Sequence, residues 1–505
     1  MTQKSYILAH DLGTTGNKAI LVDTFGNLVT SAYCAYETDY CRPNWAEQNP
    51  KDWIQAICDS THKILVDSKI SPERIAVVSF SGHMNGILAV DAQGNPLRPA
   101  IIWADQRSTK QADLISEKCG SLETYHLTGI RVSPGYTAAK LLWIKENEPD
   151  IYAKTFKVLQ AKDYAAYFLT GIFATDYSDA SLTQLLDLEK HCWAENMLET
   201  LGISADLMPK IYPSAAVIGE ITQAAAAKTG LRPGTPVVIG GGDGACATVG
   251  AGSIHVGDIY NYIGSSSWMA LTTNQPVLDI QQRTFNFLHL DPNLYIAIGT
   301  MQAAGGAFDW FESLFREKGE EKRYDDLNLA AGMIPPGGNG LIFLPYLLGE
   351  RSPYWNPLAR SAFIGLAMPD GRAQMARAVM EGVAFNLRII LDVLLSQGVK
   401  TRGMRLIGGG SRSFVWRQIL ADVFNLPILL VNLSTAATAM GAAIAGGIGV
   451  GIFPDYGVVR DLIPISEDAI PDDSTRTRYD ALYELFQESY QVLVPIYERL
   501  ANLPK

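Results

Sequence analysis

The sequence predicts an α/β protein built from two related domains that face each other across a central cleft. An apolar strand pair with a small polar tip opens the chain between residues 6 and 23, and a similar pair recurs between residues 259 and 271. In each half, a further apolar strand ends in three glycines, at 240–242 and at 408–410. We expect these Gly-rich strand ends to line one cleft. No literal repeat is visible, so the duplication rests on this pattern.

Composition favours a large globular chain and argues against several partners. The 505 residues allow about two to four domains, and 48% hydrophobic against 18% charged residues predicts large cores. The net charge of -11 gives no general attraction to nucleic acid or to anionic membranes. The six cysteines form no CxxC pair, and the N-terminal apolar run is short for a signal peptide. We therefore expect reduced thiols and a cytoplasmic location.

One segment could be mistaken for a membrane span. Residues 423–453 carry no charged side chain, but they include Pro427 and many glycines. A spanning helix needs about 20 mainly apolar residues in one run. We predict instead a buried strand at 426–431, a polar turn at 432–435 and a Gly/Ala-rich helix at 436–449.

The other elements follow from apolar spacing and turn residues. Asn49-Pro50 introduces a helix on which Trp53, Ile57 and Ile64 recur at helical spacing. Near the C-terminus, Pro495 should end or kink the last helix, because proline removes a backbone donor. In order, we expect strands at 6–10, 17–23 and 27–36, a helix at 50–68, strands at 75–79, 87–91 and up to 103, helices at 138–147 and 163–169, a strand from 236, a helix at 245–252, strands at 259–263, 268–271 and 405–407, and helices at 414–423 and 480–494.

The tip of the first strand pair places a carboxylate beside small residues. Asp11 precedes Gly13, Thr14 and Thr15. Amides and hydroxyls can hold phosphate oxygens, whereas a carboxylate approaches phosphate only through a cation. The tip therefore predicts a metal–nucleotide site, with an ordinary hairpin and Asp11 as a turn former as the alternative. It is not a Walker A loop, because its glycines are too closely spaced and no Ser or Thr follows the lysine.

A set of short motifs runs in order through nearly the whole chain. They are Asp11-Leu12-Gly13-Thr14-Thr15, Trp45-Ala46-Glu47-Gln48-Asn49-Pro50, Ile102-Trp103-Ala104-Asp105-Gln106-Arg107, Lys162-Asp163-Tyr164, Gly241-Gly242-Asp243, Gly264-Ser265-Ser266, Gly349-Glu350-Arg351-Ser352-Pro353 and Gly408-Gly409-Gly410-Ser411-Arg412-Ser413. Each is weak alone, but the ordered set resembles the FGGY carbohydrate kinases, and the xylulokinases most. The resemblance implies two actin-like (ribonuclease H-like) domains, at 1–252 and 253–505, of the sugar kinase/Hsp70/actin superfamily.

The resemblance also implies a reaction, in which the γ-phosphoryl group of ATP passes to a hydroxyl of an open-chain sugar with the help of Mg²⁺. Asp11 matches the acid that organises the metal and the phosphates. Asp243 matches the acid that takes the hydroxyl proton and stands near the metal. The residues that match the nucleotide site are Gly13, Thr14, Thr15, Gly264, Ser265, Ser266, Gly305, Gly409, Gly410 and Ser411.

Chemistry agrees with these roles and leaves alternatives. Phosphoryl transfer needs mainly positioning and charge neutralisation, and a sugar hydroxyl needs a carboxylate within hydrogen-bond reach to accept its proton. Asp243 could instead act as a helix N-cap, which Asp favours at such a position. Lys18 resembles a phosphate ligand, but its place in the second strand favours a structural lysine.

The acceptor side departs from the xylulokinase pattern. His83, Met84 and Asn85 match the sugar-binding loop, with Asn85 where xylulokinases have His. Gly244 follows Asp243 where they have Asn, so one hydrogen bond is lost and space is gained. Trp103 could stack on substrate carbons, beside Asp105 and Arg107, or the three could be a core tryptophan and a surface ion pair. These departures leave D-xylulose in doubt.

Three functions compete at this stage. The first is a kinase for xylulose or for another ketose, polyol or sugar acid. The second is a non-catalytic sugar or nucleotide sensor, which the presence of both Asp11 and Asp243 disfavours. The third is an actin- or Hsp70-like ATPase, for which the chain lacks any peptide-binding domain. Ala437 stands near the place of a usual nucleotide-side Glu. A homodimer is a family-level expectation.

Overall fold

The computed structural model describes residues 6–316, 321–431 and 436–503, and it contains two large mixed sheets with helices packed on them. The predicted turn at 432–435 lies outside the described residues. Within the three described ranges, no helix is long and apolar enough to cross a membrane.

The first half of the chain contains fourteen strands and ten α-helices among its described residues. The strands are β1 Tyr6–Leu12, β2 Gly16–Asp23, β3 Leu28–Ala35, β4 Glu47–Gln48, β5 Ile75–Gly82, β6 Leu88–Val90, β7 Ala100–Ile101, β8 Lys157–Leu159, β9 Ala174–Asp176, β10 Leu186–Asp187, β11 Cys192–Trp193, β12 Lys210–Tyr212, β13 Val217–Glu220 and β14 Pro236–Gly242. The helices are α1 Pro50–Ser68, α2 Thr109–Cys119, α3 Ser121–Thr128, α4 Thr137–Asn147, α5 Pro149–Lys154, α6 Ala161–Thr170, α7 Tyr177–Ser181, α8 Glu195–Leu201, α9 Gln223–Thr229 and α10 Asp243–Gly250.

The second half continues with nine strands and seven α-helices among its described residues. The strands are β15 Ile259–Ile263, β16 Ser267–Thr273, β17 Phe285–Leu288, β18 Tyr295–Met301, β19 Ile342–Leu344, β20 Ala362–Ile364, β21 Met404–Ile407, β22 Ile428–Val431 and β23 Ile465–Ala469. The helices are α11 Gly305–Ser313, α12 Tyr324–Gly332, α13 Arg372–Leu395, α14 Phe414–Phe424, α15 Ala437–Gly449, α16 Val459–Leu462 and α17 Arg476–Ala501.

The two sheets share one topology, as the sequence pattern predicts. The first has the order β13-β14-β5-β1-β2-β3 and the second the order β17-β18-β16-β15-β21-β22-β23. In each, an antiparallel hairpin (β1–β2 or β15–β16) lies beside two parallel strands and an antiparallel edge strand. The parallel strands direct their carboxyl ends to one edge of each sheet, which is where open α/β sheets bind ligands.

Two helices rich in small residues join the halves. A Cβ on Gly250 of α10 would lie 1.9 Å from the carbonyl oxygen of Ala437, and one on Gly441 of α15 would lie 2.0 Å from that of Cys246. Helix α15 also packs on the first sheet, where Gly446 approaches Ser79. Side chains from both sheets share one buried apolar cluster around these helices. Because these glycines carry no side chain, α10 and α15 can pack closely against each other, and the two sheets lie on either side of this contact.

The local predictions hold with one exception. The hairpin β1–β2, helix α1 with its Asn49 cap, and the strand–helix pair β22 and α15 lie where the sequence places them. The last helix was expected to end or kink at Pro495; the expected end is wrong, because α17 continues through Pro495 to Ala501. Pro495 is exposed, while Tyr490 and Tyr497 on either side are buried. Packing of these aromatic side chains offsets the proline's lost hydrogen bond.

Candidate active site

The two candidate acids meet at one edge of the first sheet. Strand β5 lies between β1 and β14 and runs parallel to both, with Asp11 opposite Ser81 and Ser81 opposite Gly241. Asp243 follows two residues after Gly241 and begins α10. Both carboxylates therefore stand at the carboxyl ends of the two parallel strands that flank β5. The two acids also interact electrostatically, because the charge of Asp11 helps to raise the pKa of Asp243.

Each acid has a raised proton affinity. Burial, with a smaller contribution from Asp11, raises the pKa of Asp243 to about 7. Burial also raises the pKa of Asp11 to about 6, although the positive charge of Lys18 opposes the shift. Lys18 lies opposite Asp11 in the hairpin register, which agrees with a structural position in β2. Two partly buried carboxylates this close repel each other, and a cation between them would relieve that repulsion.

The N-cap alternative for Asp243 is wrong. Gly242 occupies the capping position of α10, and Asp243 is the first helical residue. A carboxylate in the first turn is favoured by the helix dipole while its oxygens stay available to a ligand.

A buried ionic cluster supports the backbone in front of Asp243. The Nζ of Lys162 lies 2.7 Å from Asp163, 2.9 Å from Asp176 and 3.2 Å from Asp179. The hydroxyl of Ser178 donates to Asp176 (2.6 Å) and accepts from the backbone N–H of Gly242 (2.9 Å). This chain of contacts fixes the residue before the candidate base. Sequence reasoning missed it, because the lysine and its acids are spread over three elements.

The predicted acceptor loop follows β5. Met84 is buried and packs against Gly242, where an added Cβ would lie 2.3 Å from the methionine Cε. Asn85 has a left-handed backbone (φ 65°), and its carbonyl accepts from Lys140 at 2.6 Å. Among the described residues, the side-chain oxygen of Asn85 and both ring nitrogens of His83 are buried without a hydrogen-bond partner. Burial lowers the pKa of His83 to about 4, so its ring is neutral at pH 7.

The structure changes the interpretation of Gly244. A Cβ there would lie 3.1 Å from Cζ of Phe287 and 3.6 Å from Sδ of Met84. Phe287, on β17 of the second sheet, thus fills space that the sequence analysis assigned to the acceptor. The expected gain of space is wrong on this side, and an apolar wall of Met84 and Phe287 replaces it.

Trp103 is neither a core tryptophan nor next to a surface ion pair. It is 37% exposed, and its indole N–H donates to the hydroxyl of Thr14 at 2.9 Å. The Arg107–Asp105 pair is buried, and Arg107 also contacts Glu47 at 2.7 Å. The non-functional alternative is therefore wrong in both parts. Trp103 stands beside the tip of the first hairpin, while the ion pair fixes the loop that carries it.

Side chains from neighbouring elements hydrogen-bond to the tip of the first hairpin. Gly13 accepts from the hydroxyl of Tyr36, and the carbonyl and hydroxyl of Thr15 accept from Tyr33. The backbone carbonyl of Thr14 accepts from Gln48. In the described part of the chain the Thr14 hydroxyl accepts from Trp103 and donates to no residue, so its hydrogen can be donated to a ligand oxygen.

The second sheet carries a cavity of about 1020 Å³. Five predicted nucleotide residues line it, namely Gly264, Ser265, Gly305, Gly409 and Gly410. The N–H of Gly305 donates to the Gly264 carbonyl, so Gly305 shapes the hairpin tip. The hydroxyl of Ser411 turns back to the Gly408 carbonyl. Sequence reasoning missed other lining residues, which belong to no motif of the sequence analysis: Phe308, Asp309, Lys322, Tyr324, Asn328 and Trp416.

Hydrogen bonds link the β15–β16 hairpin of the second sheet to α10, the helix that begins with Asp243. The hydroxyl of Tyr260, on β15, accepts from Thr248 of α10 and from the indole N–H of Trp268. The charge of Asp243 is one of the influences that raise the pKa of Tyr260 to about 12, after burial. The tip formed by Gly264 and Ser265 therefore extends from a strand that stands beside the candidate base.

Known proteins match the chain over nearly its whole length. The family model "FGGY family of carbohydrate kinases" matches with its N-terminal domain at residues 6–250 and its C-terminal domain at 259–450. The chain belongs to the FGGY family of carbohydrate kinases. It is a phosphotransferase that acts on a sugar hydroxyl, as the sequence predicts, and enzymes of this family use ATP.

Relatives of this FGGY kinase include proteins named for two acceptors. A xylulose kinase of Bacillus subtilis is 32% identical over 486 residues, 96% of each chain. A gluconokinase of the same organism is 32% identical over 508 residues, 99% of this chain and 98% of its own. The crystal structure of a xylulose kinase from Lactobacillus acidophilus superposes with a TM-score of 0.92 at 27% identity, covering 98% of this chain and 99% of that one.

Proposed function

We propose that the chain transfers the γ-phosphoryl group of ATP to a hydroxyl of an open-chain sugar, with Asp243 as the general base and Asp11 as the anchor of Mg²⁺. The observation that carries this proposal is the pair of acids at the ends of β1 and β14, separated only by β5. Phosphoryl transfer needs one group beside the nucleophile and another beside the phosphates, and this edge offers both.

The environment of Asp243 suits a base. Its pKa of about 7 puts its proton affinity near neutral pH, where about half of the carboxyl groups are ionised and can accept a proton readily. The backbone behind it is fixed through Gly242 and Ser178. In this proposal Asp243 holds the acceptor hydroxyl at hydrogen-bond distance and takes its proton as the phosphoryl group arrives.

The environment of Asp11 suits a metal shared with phosphate. Its Oδ1 is buried without a hydrogen-bond partner among the described residues. In the described ranges, no group of three or more His, Cys, Asp or Glu side chains could hold a metal alone. Mg²⁺ typically takes one or two carboxylates and completes its shell with water and substrate phosphates. When bound, it would neutralise phosphate charge, with Asp11 and Asp243 as its protein neighbours.

The nucleotide would occupy the cavity of the second sheet. Glycines at the tip of β15–β16 and after β21 leave the backbone open to a close ligand, while Phe308 and Trp416 supply apolar surface. The first-hairpin residues Gly13, Thr14 and Thr15 would face the phosphates from the other domain, with Ser266 beside the second tip. The residue ranges 1–252 and 253–505 remain our proposed domain boundaries.

The acceptor would lie against Met84, with His83, Asn85 and Trp103 around it. The unpartnered polar atoms of His83 and Asn85 can bond sugar hydroxyls, and the Trp103 ring can cover sugar carbons. Relatives named for xylulose and for gluconate support a five- or six-carbon acceptor. We propose xylulose or another ketose, polyol or sugar acid. The six free cysteines support the expected cytoplasmic location, and a homodimer stays a family-level expectation.

Release of ADP from ATP·Mg²⁺ tests this function, measured with pentuloses, hexuloses, polyols and aldonates in turn. We expect one acceptor class to stimulate ADP release strongly over the rate without acceptor. A sensor would bind the sugar without stimulating release. ADP release that no acceptor changes would contradict the proposed function.

A further inference from the structure

Arg131 is a half-buried cation without a counter-ion. Its guanidinium lies 4.4 Å from the centroid of the Trp355 ring. Among the described residues, no carboxylate forms an ion pair with it, and burial lowers its pKa without removing its charge. A partly desolvated guanidinium that keeps no anion is costly, so such a group is usually satisfied by a ligand or partner.

A second arginine approaches the same point. Burial raises the pKa of Tyr136 to about 12, and the positive charges of Arg351 and Arg131 both oppose that shift. Arg351 comes from the other half of the chain, and its backbone carbonyl accepts from the N–H of Trp355 at 2.5 Å, so both arginines adjoin Trp355. Within the described part of the chain, Arg351 also forms no ion pair with a carboxylate. The two arginines create a local positive site in a chain of net charge -11.

Trp355 adds an unused donor. Its backbone is left-handed (φ 51°), a conformation that large residues rarely adopt. The indole Nε1 is buried and has no hydrogen-bond partner among the described residues. Strained residues of this kind are common where a ligand is bound. The indole N–H and the two guanidinium groups all require acceptor oxygens.

Hydrogen bonds connect the chain segment around Arg131 to both sides of the proposed acceptor site. The carbonyl of Gly129, two residues before Arg131, accepts from the N–H of Asn286, and Phe287 after it packs at Gly244. Tyr136 precedes α4, whose Lys140 holds the carbonyl of Asn85 at 2.6 Å. The segment that carries Arg131 is thus hydrogen-bonded to β17, which carries Phe287, and leads in the chain to α4, whose Lys140 holds the sugar-binding loop.

We propose that Arg131, assisted by Arg351 and the indole N–H of Trp355, binds the carboxylate of a sugar acid at the end of the acceptor that is remote from Asp243. The assignment rests on the proposed function and selects among its three acceptor classes. Ketoses and polyols are neutral and need no guanidinium, whereas an aldonate carries the charge that this site lacks. The planar fork of Arg matches a carboxylate with two parallel hydrogen bonds.

Acceptor selectivity tests the assignment. An aldonate, a ketose and a polyol of equal carbon number are compared by kcat/KM in the wild type, Arg131→Gln, Arg131→Lys and the control Arg42→Gln. Arg42 also stacks on a tryptophan, 4.6 Å from the Trp45 centroid, but it is exposed at the surface. We expect the wild type to prefer the aldonate and Arg131→Gln to lose about 10- to 100-fold in kcat/KM for it, mainly through KM.

The other acceptors distinguish recognition from support of the fold. Arg131→Gln should leave any activity with the ketose and polyol unchanged, Arg131→Lys should recover part of the aldonate activity, and the control should match the wild type. An equal loss for all acceptors would make Arg131 a structural clamp and overturn the assignment. A wild type with a higher kcat/KM for the ketose than for the aldonate would also overturn the assignment, and it would leave the kinase proposal intact. Only a lack of acceptor-dependent ADP release from every compound would contradict both.

Discussion

Removing the cation from the buried cluster around Lys162 should destabilise the protein strongly. Lys162 is fully buried and contacts Asp163, Asp176 and Asp179 at 2.7–3.2 Å. Lys162→Met leaves three buried carboxylates without their cation. Breaking a buried pair typically costs about 3–5 kcal/mol, and we expect a loss in that range in the free energy of unfolding. The pair Lys190–Asp187, 2.8 Å long, is the control because its lysine is exposed to solvent, and Lys190→Met should cost less than about 1 kcal/mol.

A second substitution, Asp179→Asn, tests whether the stability lost in Lys162→Met comes from the acids that lose their cation. Neither oxygen of Asp179 has a hydrogen-bond partner among the described residues, so its contact with Lys162 is its main compensation. Asp179→Asn should therefore recover part of the stability lost in Lys162→Met, because a neutral amide replaces one of the three acids left buried without a cation.

Urea unfolding followed by fluorescence and by ADP release measures these effects. Both readouts are needed, because a chain with two domains need not unfold in one step. Lys162→Met should also lower kcat, since Asp176 and Ser178 transmit the cluster's position to Gly242. A variant as stable as Lys190→Met, or a double variant less stable than Lys162→Met alone, would refute the reasoning.

Two further predictions concern the acids and the acceptor wall. With both substrates well below their KM, kcat/KM should rise about tenfold per pH unit between pH 6 and 7 and level off above it, because the base must be ionised and the pKa of Asp243 is raised from 3.8 to about 7. The rise should be steeper below pH 6, where Asp11, with a pKa of about 6, must also be ionised. A flat profile between pH 5 and 7 would count against Asp243. Gly244→Asn should raise the acceptor KM and cost about 1–3 kcal/mol of stability, because its Cβ would lie 3.1 Å from Phe287. The double variant Gly244→Asn, Phe287→Ala should have the acceptor KM of the wild type. An unchanged KM and unfolding midpoint in Gly244→Asn alone would show that Phe287 moves aside at little cost, which contradicts this prediction.

Local signals predicted the fold well. The β1–β2 hairpin and α1 depend on short-range apolar spacing and on the Asn49 cap, so the sequence predicted them with nearly correct bounds. The shared topology of the two sheets followed from the recurring glycine-ended strands. Pro495 shows the limit of local rules, because long-range aromatic contacts such as Tyr354 on Tyr490, 3.6 Å between centroids, keep α17 continuous.

The sequence predicted those residues of the site that belong to short motifs, but it did not predict those that reach the site through contacts between distant parts of the chain. Asp11 lies in the last two residues of β1 and Asp243 directly after β14, and parallel strands bring such ends to one edge of a sheet. By contrast, the bond from Trp103 to Thr14 and the contact of Phe287 with Gly244 join residues far apart in sequence. No spacing rule predicts them. The same holds for Arg131 and Trp355, which meet only because the two halves of the chain pack on each other.

The central claim is that Asp243 removes the proton of the acceptor hydroxyl. Acceptor-dependent ADP release from Asp243→Asn tests it most directly, because Asn keeps the size of the side chain but cannot accept that proton. The account predicts a folded variant that still binds ATP and sugar and loses about 10²- to 10⁴-fold in kcat, the usual contribution of a general base. A variant with an unchanged unfolding midpoint and a kcat close to that of the wild type would contradict the account.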